Sequence, residues 1–420
     1  MRPILHRPTP ARHGARRTLL AALAVAVTAG ACGGDGPTSG RDDPGTVPDT
    51  TPATLAVRGL GEVTARYTAE VAVSGTTAYT TSWNRRGTVL GNAIHVWDVS
   101  GATPTLVDTV LVEDAATLGD VQISDDGALL LVAVEPSPVG AVVLYDLADP
   151  RRPQRLTRYA SASTATGVHT AKLARVNGTL HAFLAVDPSP SRLVVLDLSD
   201  PRAPREILSR PMGRPFLHDV HVRDGLLFTA LWHDGLTIWD IGGGGRGGTP
   251  AEPVQLGNVQ TVNGSVHNVA WVQLPAGGGR RYAWVGEEGP GGVTGAPFSS
   301  GDVHVVDISD LARPREVAFF SAAGAGTHNF AVDEAAGVVY AAYYNGGVRA
   351  FDARGDLGAC PAAQRSADGR CDLAKMGREL GRGLLDRERP VYVWGVVLAG
   401  GALYASDMLN GLWKLGTVER

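Results

Sequence analysis

From residue 53 onward the apolar positions fall into short runs divided by Gly, Pro, Asp and Asn. That pattern predicts strands joined by turns rather than helices. The runs recur as "AIHVWDVSGATPTL" (93–106), "AVVLYDLADPRRPQR" (141–155), "LVVLDLSDPRAPRE" (193–206), "LTIWDIGGGG" (236–245), "VHVVDISDLARPRE" (303–316) and "VRAFDARGDL" (348–357). Each closes a β-branched, aliphatic or aromatic stretch with Asp: Asp98, Asp146, Asp197, Asp240, Asp307 and Asp352, spaced by 48, 51, 43, 67 and 45 residues. A seventh copy, "GLWKLG" (411–416), carries Gly416 in place of the Asp. An Asp before a turn accepts hydrogen bonds from the next backbone N–H groups, so these aspartates read as structural.

The order inside a unit is constant. A first strand is followed by a turn such as "RDG" (223–225), then by a second strand such as "LLFTALW" (226–232). A tight turn, "HDG" (233–235), "NGG" (345–347) or "LNG" (409–411), leads into the Asp-ended strand. Asp-Gly and Asn-Gly favour hairpin turns with positive φ. A Pro-led fourth strand, "PREILSR" (204–210) or "PREVAFF" (314–320), ends the unit. Four antiparallel strands in a repeat of this length form a propeller blade, so the expected fold class is all-β, a seven-bladed β-propeller. The last blade lacks its fourth strand, and the strand "ATLAVRGLG" (53–61) is expected to complete it and close the ring.

The recurrent V-x-V-x-D-[IL]-S-D-P-x-x-P pattern, clearest in "LVVLDLSDPRAP" and "VHVVDISDLARP", resembles the LVIVD-repeat family of exported propellers. The resemblance spans about 53 to 418 and weakens at Asp240, Asp352 and Gly416. It implies a fold far more firmly than an activity.

The first strands carry the candidate chemistry. "VHTAKLA" (168–174), "LHDVHVR" (217–223), "VHNVAWV" (266–272) and "THNFAVD" (327–333) place His169, His218, His267 and His328 at one register, with Ala69, Gly119 and Trp394 at the same position in the other blades. The innermost strands of a propeller line its channel, so these imidazoles fall on one arc. Neutral imidazole suits Fe or Cu, and the following Asp219, Asn268 and Asn329 are expected to orient the rings. A packing histidine copied by duplication is the plain alternative. The face that carries the strand starts also holds "WNRRGTVLGN" (83–92), "VDPSPSR" (186–192), "EEGPGGVTGAPFSSG" (287–301), Trp232, His233, Tyr344 and Trp394, which are expected to form a loop-face binding surface.

The residues before 53 are read apart from the fold. Residues 1–32 form a leader: Arg2, Arg7, Arg12, Arg16 and Arg17 precede the apolar "TLLAALAVAVTAGA" (18–31), and "TAGAC" is similar to a lipobox that would lipidate Cys32. A signal peptide cut near Ala31, or an uncut anchor, also fits. "ARRTLLA" (15–21) resembles a twin-arginine signal, and either route leads out of the cytoplasm. Residues 33–52 are a Gly/Pro/Ser/Thr tether. An exported chain sits in an oxidising compartment, so Cys360 and Cys371 are expected to pair. Segment 356–388 reads as an insertion in blade six, and Leu373, Met376, Leu380 and Leu384 have helical spacing within "CDLAKMGRELGRGLL" (371–385).

The net charge is −4, with no basic stripe, which excludes a nucleic-acid groove. No G-x-S-x-G, P-loop, H-E-x-x-H or EF-hand motif occurs. "GGGGRGG" (242–248) runs into Thr-Pro rather than a helix, so it is not a phosphate cradle. The expectation is a monomeric, membrane-anchored cell-envelope module that binds a protein or small molecule. The alternatives are an Fe- or Cu-dependent oxidoreductase built on the four histidines, and a scaffold with neither role.

Overall fold

The computed structural model describes residues 51–419, apart from 137–138, 275–280, 294–295 and 386–388. The leader, Cys32 and all but the end of the tether lie outside the described residues. The described chain is almost entirely β, and its only helical residues are a 3-10 turn at Ala362–Gln364. Seven antiparallel four-stranded blades surround a channel. Taken from the channel outward, blade one is Tyr67–Ser74, Thr77–Trp83, Ala93–Asp98 and Thr105–Leu111. Blade two is Leu118–Ile123, Leu129–Val134, Ala141–Asp146 and Gln154–Tyr159, and blade three is Thr170–Val176, Thr179–Val186, Arg192–Asp197 and Arg205–Pro211. Blade four is Asp219–Arg223, Leu226–Ala230, Leu236–Asp240 and Val254–Val259. Blade five is Val266–Gln273, Arg281–Glu287, Val303–Asp307 and Arg315–Phe320. Blade six is Phe330–Asp333, Val338–Ala342, Val348–Asp352 and Glu379–Gly383. Blade seven is Val393–Ala399, Ala402–Asp407, Gly411–Leu415 and, from the N-terminal end, Val57–Glu62.

Burial explains the runs. The two middle strands of a blade are covered on both faces by neighbouring blades, so Leu129–Val134 and Ala141–Asp146 are apolar nearly throughout. Outer strands have little cover, and Thr105–Leu111 is mostly exposed. Among the described residues the core between blades is therefore divided into seven clusters, each between two adjacent blades. The closing cluster sets Val71, Ala78 and Trp97 of blade one against Ala402, Tyr404 and Leu412 of blade seven. Leu60 pairs with Trp413 and Gly61 with Leu412, so the expected N-terminal closure is present. Gly61 is required there, because a Cβ would stand 2.5 Å from the Trp97 ring.

The turn chemistry follows the sequence. Asp224 and Gly225 have φ of 53° and 69°. All six strand-ending aspartates accept the backbone N–H two residues ahead, at 3.0, 2.8, 2.8, 2.8, 2.9 and 3.0 Å in chain order. Asp240 takes more. Its carboxylate also accepts from Gly244, Arg246 and Gly248 at 2.7, 2.6 and 3.2 Å. The glycine-rich loop is thus an anion cradle filled by the chain's own carboxylate.

The expected helix at 371–385 is not formed. Cys371–Asp372 pairs parallel to the outer strand of blade five, and Glu379–Gly383 becomes the outer strand of blade six. Gly377, Gly381 and Gly383 weaken the helix. The blade demands the glycines: a Cβ at Gly383 would lie 2.8 Å from Leu415, and one at Gly381 would lie 3.1 Å from Leu55. The spacing of Leu373, Met376 and Leu380 was a coincidence of two separate segments. Cys360 and Cys371 form the expected disulfide, which staples residues 360–371 against blade five.

Asp240→Ala strands four donors and is expected to cost about 3 kcal/mol, against about 1 kcal/mol for Asp146→Ala, which frees one exposed N–H. Urea midpoints of the two variants check the order.

Candidate functional site

The shared register of the histidines comes from one repeated backbone bond. His169, His218 and His328 donate their N–H to Ala185, Ala230 and Ala342 of the second strand, at 3.0, 2.8 and 2.8 Å. These bonds set three of the rings at equal heights, His267 stands between His218 and His328, and the four rings lie side by side. Centroids lie 4.6 Å apart for His169–His218, 4.5 Å for His218–His267 and 4.2 Å for His267–His328. Trp394 continues the arc 4.5 Å from His328, and Trp83 lies 5.3 Å beyond. Blades one and two carry only Ala69 and Gly119 at this register, and second-strand residues fill the space. Trp83 Nε1 donates to Glu135 Oε1 at 3.0 Å, and the same oxygen lies 2.7 Å from His169 Nδ1. The circle is closed.

The ends of the second strands form a further ring, one residue per blade: Trp83, Glu135, Asp187, Trp232, Glu288, Tyr344 and Met408. The sequence reading missed its three carboxylates. Glu288 Oε2 stands 3.5 Å from His218 Nε2 and 3.8 Å from His267 Nε2, while Tyr344 Oη donates to Glu288 Oε1. Trp232 stacks on His218 at 5.2 Å. Trp232 and Tyr344 have φ of 53° and 44°, unusual for bulky residues. Both are held there by paired backbone bonds to the next blade, Trp232 with Val266 and Tyr344 with Val393.

The histidines are electrostatically unequal. Burial opposes a charge on His169, but Asp187 and Glu135 outweigh it and raise its pKa to about 10, so it is an imidazolium. Burial and neighbouring imidazoles hold His218, His267 and His328 far below the usual histidine range, and they are neutral. His218 Nδ1, His267 Nδ1 and both ring nitrogens of His328 make no hydrogen bond. Burial raises the Glu288 pKa against the bond from Tyr344.

Two expectations change. The four rings adjoin, but their donors do not meet at one point. Among the described residues, the donor groups within 4.8 Å of one another are His218–His267–Glu288 and His169–Asp187–His218. Asp219, Asn268 and Asn329 touch no imidazole nitrogen, because successive side chains on a strand diverge. They form a tier beneath with Glu70, Asp120, Thr170 and Gly395. Asn268 donates to Asp219, and Asn329 donates to Glu70 at 2.7 Å across the side-chain-free Gly395. This tier steadies the histidines through their backbones: Thr170 Oγ1 donates to the His218 carbonyl at 2.9 Å, and the Asp120 N–H to that of His169 at 3.1 Å. Burial, and then the other carboxylates, push the Glu70 pKa up and raise Asp219 to about 7.

Over the histidines the loop face is filled, and beside this cap a hollow of about 440 Å³ opens on the same face among Tyr67, Arg86, Val293, Leu409 and Asn410. Tyr344 is 0% and Trp394 8% exposed, packed with Tyr392 and Met408. The hairpin of Gly289–Pro290 with Ser299–Ser300 reaches over them, with the Gly291 N–H donating to Tyr392 Oη at 3.2 Å. Of the expected binding residues there, His233 is exposed and Trp232 half-buried. A further open space lies below the histidines. A channel of about 450 Å³ runs from the Glu70, Asp120 and Asp219 tier to Ile123 and Arg223 at the far ends of the inner strands.

Comparison with known proteins agrees with this fold. The LVIVD repeat matches residues 298–321, which hold the two outer strands of blade five. No curated protein matches. Among solved structures the chain is similar to Saccharomyces cerevisiae Sqt1, with a TM-score of 0.52 and 9% identity over 84% of this chain and 83% of that one. At that identity the likeness is one of fold alone.

A buried charge network lies in blade five and ends on Glu287, the chain neighbour of Glu288. Arg370, beside the disulfide, bonds Glu316, whose Oε1 lies 2.6 Å from His304 Nδ1. His304 Nε2 lies 3.2 Å from Glu287 Oε2. Burial disfavours the charged ring, but the two carboxylates raise its pKa to about 9. The stabilisation from His304 is then complete below about pH 6.5 and is lost as pH rises through 9, by at most about 3 kcal/mol. Melting of the wild type and His304→Gln between pH 6.5 and 9.5 checks this, and the gap between them is expected to narrow on the alkaline side.

Proposed function

We propose that this chain is an exported cell-envelope propeller that binds a transition-metal ion, iron or copper, through His218 Nε2, His267 Nε2 and the Glu288 carboxylate. One observation carries the reading: a carboxylate oxygen stands 3.5 and 3.8 Å from two neutral imidazole nitrogens. A hydrogen bond would be shorter. Two ligands at about 2.1 Å from one ion, at a tetrahedral angle, stand about 3.4 Å apart. Two imidazoles and one carboxylate form a donor set that suits non-haem Fe(II) and is also used by copper. Tyr344 fixes the other Glu288 oxygen and so aims the carboxylate. His169 stands outside the His218–His267–Glu288 group, with its Nδ1 on Glu135, and in this reading it serves as a positive charge beside Asp187 and Glu288 rather than as a ligand.

Three protein donors leave coordination positions free for a further ligand. The same centre therefore serves capture of a ligand by the bound ion, or a redox step on it. Burial of the three neutral imidazoles supports the ion itself in either case. The Arg-rich leader and the Cys360–Cys371 disulfide support export to an oxidising compartment, with Cys32 as the lipidated anchor.

Elemental analysis of protein purified from its native envelope tests the site. About one transition-metal ion per chain is expected, lost in His267→Ala and Glu288→Gln but kept in His169→Gln. Absence of metal from the wild type, or its retention in both ligand variants, refutes the reading. For the anchor, Cys32→Ser is expected to move the protein from the membrane to the soluble fraction.

A further inference from the structure

The channel beneath the histidines carries chemistry that a metal at their level does not use. Glu70, Asp120 and Asp219 bring three carboxylates to one tier from blades one, two and four. Two residues further along the inner strands, Gln122, Lys172 and His221 line one side of the channel. Ala72, Ala270 and Val397 line the other. Arg223, at the far end, is already engaged by both oxygens of Glu334 at 2.7 and 2.9 Å. Lys172 Nζ has an amide as its hydrogen-bond partner, Gln122 Oε1 at 3.3 Å. The channel thus presents three crowded carboxyl groups at its inner end and one lightly held ammonium next to it.

A bare metal ion does not fit the acidic tier. Among the described residues, Glu70, Asp120 and Asp219 do not gather three oxygens within 4.8 Å of one another. A space of about 450 Å³ also calls for a molecule rather than an atom. A second observation points the same way. His328 is 3% exposed, neither ring nitrogen has a well-aligned hydrogen-bond partner, and its Nδ1 lies 3.9 Å from Glu70 Oε1. It lines, with Glu70, Asp120, Asn329 and the rings of His169 and His267, a cavity of about 10 Å³ at the inner end, room for one water or one small donor group facing the carboxylate side. A buried imidazole with poorly satisfied nitrogens is costly, and a donor placed there offsets that cost together with those of the carboxylates.

Positions two apart on a strand are separated by about 6.6 Å, so the acidic tier and Lys172 are spaced for the two ends of a short molecule. We infer that the channel binds a small zwitterion of the amino-acid class, its primary ammonium among Glu70, Asp120 and Asp219 and its carboxylate towards Lys172. The short carbon chain lies against Ala72, Ala270 and Val397. Recognition rests on charge at both ends and on an apolar wall between them, and none of the carboxylates nor Lys172 is among the proposed metal ligands.

Calorimetry and thermal melting of the purified full-length chain with 4-aminobutyrate, butylamine and butyrate test this, before and after treatment with chelator. 4-Aminobutyrate is expected to bind and raise the melting temperature in both states, butylamine to bind about tenfold more weakly, and butyrate not to bind. Asp219→Asn is expected to weaken 4-aminobutyrate about tenfold or more, and Lys172→Met to abolish its advantage over butylamine. Ala270→Phe, which fills the channel, removes all binding, and melting without ligand confirms that each variant folds. Failure of 4-aminobutyrate to bind overturns the inference, as does binding indifferent to Asp219→Asn. Equal affinity for butylamine, unchanged by Lys172→Met, overturns the assignment of the carboxylate end. Because the chelated protein is measured too, loss of the metal reading leaves these outcomes intact.

Discussion

Seven sheets packed face to face share one axis only if the last meets the first, and here one short antiparallel pairing makes them meet. Val57–Glu62 lies against Gly411–Leu415, and Gly61 lets the strand pass under the Trp97 ring. With the ring closed, each blade is held on both faces, and the inner strands cannot slide along the axis. A one-residue slip would exchange the histidine tier for the acidic tier beneath it. Closure at the rim therefore fixes the heights of side chains at the centre, which no contact within a single blade could do.

What closure secures is an arrangement of side chains that would be unfavourable alone. Three neutral imidazoles stand edge to edge with ring nitrogens unsatisfied, and carboxylates lie above and below them. Charge is settled locally in only part of the ring: His169 keeps its proton between Glu135 and Asp187. The other three rings have no such carboxylate pair to settle their charge. Unsatisfied buried polar groups cost about 1–3 kcal/mol each, and a fold tolerates such a set when other contacts over-determine it. The backbones of Trp232 and Tyr344 show the same economy. Both are left-handed, both are pinned by reciprocal bonds to the next blade, and they set a ring over His218 and a hydroxyl on Glu288.

The propeller was legible because its physics repeats. Middle strands buried on two faces must be apolar throughout, and each Asp must accept the N–H two residues on, so the same letters recur in every blade. The histidine register was legible for the same reason. Glu135, Asp187 and Glu288 were not, although "VEPSP" (134–138) and "VDPSP" (186–190) are near-copies. Their position holds Trp, Tyr or Met in the other blades, so no residue type marks it, and only the fold shows that it forms a ring. The helix expected at 371–385 failed on its glycines: helical spacing of Leu373, Met376 and Leu380 ignored that Gly381 and Gly383 are where Leu55 and Leu415 approach. The orienting role expected of Asp219, Asn268 and Asn329 failed on strand geometry, which sends neighbouring side chains apart.

The direction of access follows from the aromatic residues. Trp394, Tyr344, Tyr392 and Met408 pack over the histidines from the loop side, and the hairpin at Gly289–Pro290 lies across them. These residues would mark a binding face if they were exposed, but as packed they make a roof. The polar channel has the opposite character. It is lined by charged and amide groups that carry their own hydrogen bonds yet leave room between them, and it ends at the half-exposed Arg223. A solute moving toward the histidines from that end would pass Lys172 and then the three carboxylates, exchanging water for fixed charges of known sign at each step. In this propeller the loops close the site, and the inner strands, read as simple channel lining, provide the approach to it.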